Sequence, residues 1–320
     1  MSETARQPSR VPWLRIVSVV FMLAGLAFCV ATLHRAGLAQ YRNLLQPALL
    51  GALVLAGFVV LVASTFAWRA YFEAVSACRL GFPDAFYQLG IVLVGKYVPI
   101  ILGGVLARVG ANASRTSASN VIAATILEQC GGLASGAAVG LAFVAWWVSP
   151  IAGVAVAAAT LAAAFVAPYV AHPAIAVMHW LRARIRRRDD FAVAPIAHAP
   201  VRIAWLAQVA EWSAVTVFVA LIVHALRPDI DGTAIVYLAG AFLIAVVVGV
   251  AAFILPGGIG AREGAFVWIA SAVVDYDGAL FIAVALRVAM TGIDLLAGAG
   301  CLAVGLARVS ANAGSTRARL

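Results

Sequence analysis

Along the chain, apolar stretches of membrane-spanning length alternate with short polar connections. A tail carrying Arg6, Arg10 and Arg15 precedes the apolar run Ile16 to Leu33. A secretory leader is the alternative reading of this run. Its 18 residues are long for a leader's apolar part, and no small-x-small cleavage site precedes Arg35, so it predicts a first span. Asn43 to Trp68 is free of charge and predicts a second, followed by a polar stretch with Arg69, Glu73, Arg79 and Asp84. Phe86 to Val105 is apolar but broken by Lys96, Pro99, Gly103 and Gly104.

From Gln129 to Leu181, 53 residues carry no Asp, Glu, Lys or Arg. At about 20 residues per crossing that is too long for one helix. Ser149-Pro150 divides it into spans over 120–148 and 151–170. The main loop is expected over 172–200. Within it Ile175, Met178, Leu181 and Ile185 recur every three to four residues among Arg182, Arg184, Arg186, Arg187 and Arg188, which predicts an interfacial amphipathic helix. Ile203–Leu226 and Thr233–Leu255 predict two more spans. After Pro256–Glu263 come a short apolar piece (Gly264–Val274), a turn at Asp275 and Asp277, and a last span, Leu280–Ala307.

Composition agrees with this pattern. Hydrophobic residues make up 64% of the 320 residues and charged residues 11%, against roughly 25% charged in a soluble domain. The mean hydropathy is +1.03. No polar stretch is long enough for a soluble catalytic domain. The predicted fold is all-α: one polytopic membrane domain over 1–320, with seven to eight transmembrane helices, a re-entrant hairpin and an internal two-fold repeat. The net charge of +9, with Lys96 the single lysine, fits basic loops facing anionic lipid rather than nucleic acid. Cys29, Cys78, Cys130 and Cys301 have no CxxC spacing and read as small fillers.

Topology follows from the positive charges. The tail 1–15, the loop 172–200 and the tail 308–320 are basic and predict the cytoplasmic side for both termini. The chain must then enter and leave on one side over 86–111, which predicts a re-entrant segment there. Such irregular backbone at membrane depth is tolerated only when buried in protein or lining a wet cavity. Gly257–Val274 is expected to cross outward and the last span to return.

Two segments echo each other. Gly103-Gly104-Val105-Leu106-Ala107-Arg108 aligns with Gly257-Gly258-Ile259-Gly260-Ala261-Arg262, each behind a proline, Pro99 and Pro256. Either chance in a Gly/Ala-rich chain or duplication accounts for this. Paired Gly/Pro-interrupted apolar segments are the sequence pointer to a transporter site, where freed backbone N–H groups can meet an anion.

Eight ionisable residues fall in or beside apolar segments: Lys96, Arg108, Arg262, Arg287, Glu128, Glu211, Glu263 and Asp294. Each costs about 2.5–3.5 kcal/mol at a helix centre. One reading is a set of internal ion pairs tying helices together. The other is a polar cavity in which Arg and Lys bind a phosphate head group while carboxylates pair with them or relay protons. Arg287 and Asp294 are expected on one helix face. His34, His172, His179, His198 and His224 lie mostly at span ends and read as interfacial. No nucleotide loop, HExxH, GxSxG or His/Cys ligand cluster is present, so neither cofactor nor metal is expected.

Leu255-Pro-Gly-Gly-Ile-Gly-Ala-Arg-Glu263 resembles the Pro-Gly-Gly-x-Gly-x-Arg-Glu motif of the lysylphosphatidylglycerol synthase transmembrane-region family, the flippase-like domain proteins. Lys96-Tyr97-Val98-Pro99 with Gly104 and Arg108 is similar to that family's first-half motif, and Glu128 to its intramembrane glutamate. Gln129 departs from the pattern, where Arg often follows the glutamate. The resemblance covers about 15–307. It implies a lipid-handling protein of the bacterial inner membrane. The synthases add a cytosolic aminoacyl-transfer domain, absent before Leu320, so lysyl-lipid synthesis is not expected.

The function expected is a lipid or lipid-linked-sugar translocase rather than an enzyme. Its head-group site would draw on Lys96, Pro99, Gly103, Gly104, Arg108, Pro256, Gly257, Gly258, Gly260, Arg262 and Glu263, with Glu128, Glu211, Arg287 and Asp294 as ion pairs or a proton relay. The alternative is an accessory subunit presenting a membrane glycosyltransferase or synthase. Partners are then membrane lipids, such an enzyme, or a second copy of the chain.

Overall fold

The structure is a computed structural model that describes residues 46–95, 103–186, 196–251 and 260–317. The expected first span, 16–33, and the break residues Lys96, Pro99, Pro256, Gly257 and Gly258 lie outside the described residues. The described elements are all helices: α1 Pro47–Ser76, α2 Phe82–Gly95, α3 Gly103–Ala111, α4 Ala118–Val148, α5 Pro150–Arg186, α6 His198–Leu226, α7 Gly232–Ala251, α8 Ala261–Ala270 and α9 Tyr276–Arg317. Among them α1, α4, α5, α6, α7 and α9 are long and apolar enough to cross a membrane. The protein is a multi-pass membrane protein.

Two differences from the sequence reading concern helix length. The helix through 151–170 does not stop at His172, where a loop is expected. It continues past Pro168 and Pro173 to Arg186, so the first half of the 172–200 segment is helical and continuous with the span. Proline is tolerated in such helices because neighbouring groups can satisfy the carbonyls it frees. The expected crossing by 257–274 contains a helix, α8, of only 10 residues. At 1.5 Å per residue that is about 15 Å, half of a 30 Å hydrocarbon core.

The helices form two apolar cores. One gathers Trp68, Phe72 and Val75 of α1 with Val121, Ala124 and Leu127 of α4 and Val201 and Ala204 of α6. The other gathers Phe218 and Ile222 of α6, Leu238 and Phe242 of α7, Phe266 of α8 and Ile282 and Leu286 of α9. Glycines let backbones from the two halves meet. A Cβ at Gly240 would lie 2.8 Å from the Gly140 carbonyl oxygen, and a Cβ at Gly90 would lie 2.7 Å from Cys301 Cβ. So α7 packs on α4, and α2 packs on α9. These helix pairs run antiparallel: Trp147 meets Tyr237 beyond Gly140–Gly240, and Gly298 meets Val94 beyond Gly90–Cys301.

The short helices fold back on their predecessors. Arg115 Nη2 donates to Asp84 Oδ2 at 2.7 Å and the Cys78 thiol to the Arg115 carbonyl at 3.5 Å, so the start of α2 and the end of α3 meet at one end of the bundle. Ala197 N donates to the Ala74 carbonyl at 3.0 Å, which brings the α5–α6 connection to this same end. Along α7, Gly249 touches Arg262, Phe242 meets Phe266, and Tyr237 Oη donates to the Ile269 carbonyl at 3.0 Å. α8 therefore runs back toward the opposite end, where Gly278 abuts the Arg227 guanidinium. There Arg227 holds the Asp229 carboxyl below the ordinary carboxylate range through a 2.8 Å ion pair.

Candidate functional site

Two polar clusters sit inside the bundle. In the first, Arg108 of α3 is fully buried. Its terminal nitrogens grip both oxygens of Glu128 on α4, Nη1 on Oε2 and Nη2 on Oε1. Glu128 lies ten residues into α4, about 15 Å along it. The guanidinium lies 3.7 Å over the Trp68 ring of α1, a cation–π contact strengthened by desolvation. Arg108 Nε has no hydrogen-bond partner.

Polar side chains outside the expected site complete this cluster. Trp68 Nε1 donates to Gln88 Oε1 at 3.0 Å. Gln88 and Asn112 exchange two amide bonds, and Asn112 Nδ2 also reaches the Arg108 carbonyl at 2.9 Å. On the other side of Glu128, its own carbonyl accepts from Gln208 Nε2 at 2.8 Å, while Gln208 Oε1 accepts from the Tyr71 hydroxyl at 2.9 Å. The signal for these residues was present: Gln88, Asn112 and Gln208 are polar groups in apolar segments, which are costly unless partnered.

In the second cluster Gly260 has φ +86, a conformation glycine adopts without a Cβ clash, and it opens α8. Glu263 Oε2 accepts from Gly260 N at 2.7 Å, the carboxylate half of a capping box. Its other oxygen accepts from Arg287 Nη1 of α9 at 3.0 Å. Arg287 lies eleven residues past Tyr276, about 16 Å along α9. Arg262 is half-buried, its guanidinium 4.4 Å over the Phe242 ring of α7.

The clusters share a plan with reversed polarity. In each, a short helix and the long helix after it are tied by one Arg–Glu pair, and the arginine of the echoed segment stacks on an aromatic ring. The cation of the pair is on the short helix in the first cluster and on the long helix in the second. Arg287 reaches Glu263 across helices, while Asp294 follows seven residues later on α9, about 10.5 Å along it. Glu211 and Asp294 are half-buried in α6 and α9. Gly103 and Gly104 open α3, where Gly104 packs on Gly95.

Chemically, the first cluster is closed: a buried cation with its counter-charge. The second is more open, a stacked guanidinium beside an engaged carboxylate and a glycine break. Neither holds a nucleophile–base pair.

A sequence model of the lysylphosphatidylglycerol synthase TM region matches residues 15–298. No curated protein and no solved structure matches the chain. With the match covering most of the chain, and the Gly-Ala-Arg-Glu segment opening a short helix inside a multi-pass bundle, the protein belongs to the lysylphosphatidylglycerol synthase TM-region family.

Proposed function

We propose that this protein translocates a lipid or lipid-linked sugar across the bacterial inner membrane, binding the anionic head group between α7, α8 and α9. The observation that carries the reading is the pair of opposed helical turns-back. α2–α3 opens at the end bearing Asp84 and Arg115, α7–α8 at the end bearing Arg227 and Gly278. Each carries an Arg-on-aromatic stack beside an ion pair. We read 86–111 as re-entrant and the two halves as an inverted repeat, the plan in which transporters build a mid-membrane site from interrupted helices. α1 runs antiparallel to its counterpart α6, with Tyr71 on Gln208 and Ala74 on Ala197, as inversion requires. In this reading Arg108–Glu128 is the fixed anchor and Arg262 the head-group ligand. We read the Asp84–Arg115 end, which the α5–α6 connection shares, as cytoplasmic from the arginine excess in the sequence 172–200.

The test of function is reconstitution. Purified protein in proteoliposomes should accelerate exchange of a fluorescent anionic phospholipid between leaflets without ATP. Exchange no faster than in protein-free vesicles would remove the translocase reading and favour an accessory subunit. The topology is tested in a cysteine-free background. Arg115→Cys should resist a periplasmic maleimide that labels Asp229→Cys, and labelling of both positions from outside would defeat the re-entrant assignment.

A further inference from the structure

A third polar cluster, at a lipid-facing surface, lies away from both intramembrane sites, between α5 and α6. The two helices run antiparallel in a regular ladder. Trp205 Nε1 donates to the Thr160 carbonyl at 2.9 Å. Toward the helix ends, the Arg202 guanidinium lies over the Phe165 ring at 5.4 Å, the Tyr169 and His198 rings at 5.0 Å, and the His172 and His198 rings at 5.7 Å. His198 and Arg202 are one helical turn apart and share a face.

Three features make this a site rather than a helix contact. First, Arg202 has unused capacity. Among the described residues Arg202 stacks on Phe165 without an ion pair, and its buried Nε has no hydrogen-bond partner. A guanidinium carries five donors and no acceptor, so donors remain for an anion. Second, the cluster lies where the apolar span of α6 begins, at His198. That is the depth of lipid phosphates, where tyrosine and arginine side chains anchor. Third, the surface below is apolar and open: Phe165 is 65% exposed and Tyr169 61%, with Leu161 and Val154 exposed further along α5. Beyond the cluster α5 continues as a helix to Arg186.

We infer that the α5–α6 groove binds the phosphodiester of an anionic phospholipid. The Arg202 fork takes the phosphate oxygens, the Tyr169 hydroxyl and the imidazoles of His172 and His198 supply further donors, and an acyl chain lies along Phe165 and Leu161. Basic pockets between transmembrane helices at this level recognise such head groups, and the planar fork suits two phosphate oxygens. The inference does not depend on translocation. This lipid is a bound companion of the fold, distinct from any head group at Arg262.

Native mass spectrometry of the purified full chain, titrated in detergent with phosphatidylglycerol or phosphatidylcholine, tests it. The wild type should retain phosphatidylglycerol in preference to phosphatidylcholine. Arg202→Gln should lose that preference by about tenfold in apparent affinity, one decade for roughly 1.4 kcal/mol. Arg202→Lys should lose less, and Arg227→Gln, at the opposite end of the bundle, should keep it. If Arg202→Gln does not fold, His198→Gln, which keeps the stacked cation, should still weaken retention. Equal retention of both lipids by the wild type, or undiminished retention in Arg202→Gln and His198→Gln, would overturn the site. So would displacement of the lipid by inorganic phosphate, because a plain anion site would then suffice.

Discussion

Arg108→Gln should destabilise the protein by about 3–5 kcal/mol, the cost of leaving one member of a buried ion pair alone. The guanidinium is fully buried, lies on the Trp68 ring and holds both oxygens of Glu128. Without it the carboxylate is left in an apolar bundle with its partner gone. The effect should spread, because the Glu128 carbonyl also anchors Gln208 and through it Tyr71. Membrane abundance and detergent melting temperature read it out. The pair variant Arg108→Leu with Glu128→Leu should recover much of the loss, since two apolar groups of similar volume remove the desolvation penalty together. That double variant separates anchor from ligand. If the pair only ties α3 to α4, a stable double variant keeps translocating. Normal abundance and melting in Arg108→Gln alone would show that the pair does not hold the fold.

Arg262→Ala should slow translocation at least about tenfold while leaving the protein in the membrane. The residue stands one position before Glu263, whose oxygens are engaged by Gly260 N and Arg287, and its guanidinium stacks on Phe242 while staying half-buried. A charge-assisted contact to a phosphate contributes about 1.5–3 kcal/mol. Its loss should slow lipid exchange about ten- to a hundredfold. Arg262→Lys keeps the charge but loses the fork, so it should fall between. The competing expectation is structural: if Arg262 chiefly braces α8 against α7, Arg262→Ala is depleted from the membrane and melts early. Normal abundance with normal exchange would defeat both accounts, and a poorly folded variant would leave the structural one.

The apolar pattern carried much of the fold. Charge-free runs longer than a bilayer is thick leave few alternatives, because backbone polar groups in lipid must be satisfied within a helix. The spans from Pro47 to Gly305 follow from that. The start of α8 was equally legible, since Gly260, which opens it at φ +86, is a residue that does not continue a helix cheaply. Helix ends were less so: α5 runs through two prolines to Arg186, because a proline forbids one hydrogen bond and leaves the rest of the helix intact.

The sequence by itself determined that eight ionisable residues fall in or beside apolar segments and that an arginine follows each Gly-Gly pair. Which charge meets which was decided only by the tertiary structure. Pairing is a distance condition between helices, and hydropathy carries no information about rotation about a helix axis. Spacing puts Arg287 and Asp294 on one helix face, and only the packing of α8 on α9 brings Glu263 to Arg287. Nor could spacing place Trp68, Gln88, Asn112 and Gln208 around Arg108 and Glu128, since their meeting depends on four helices closing on one buried pair.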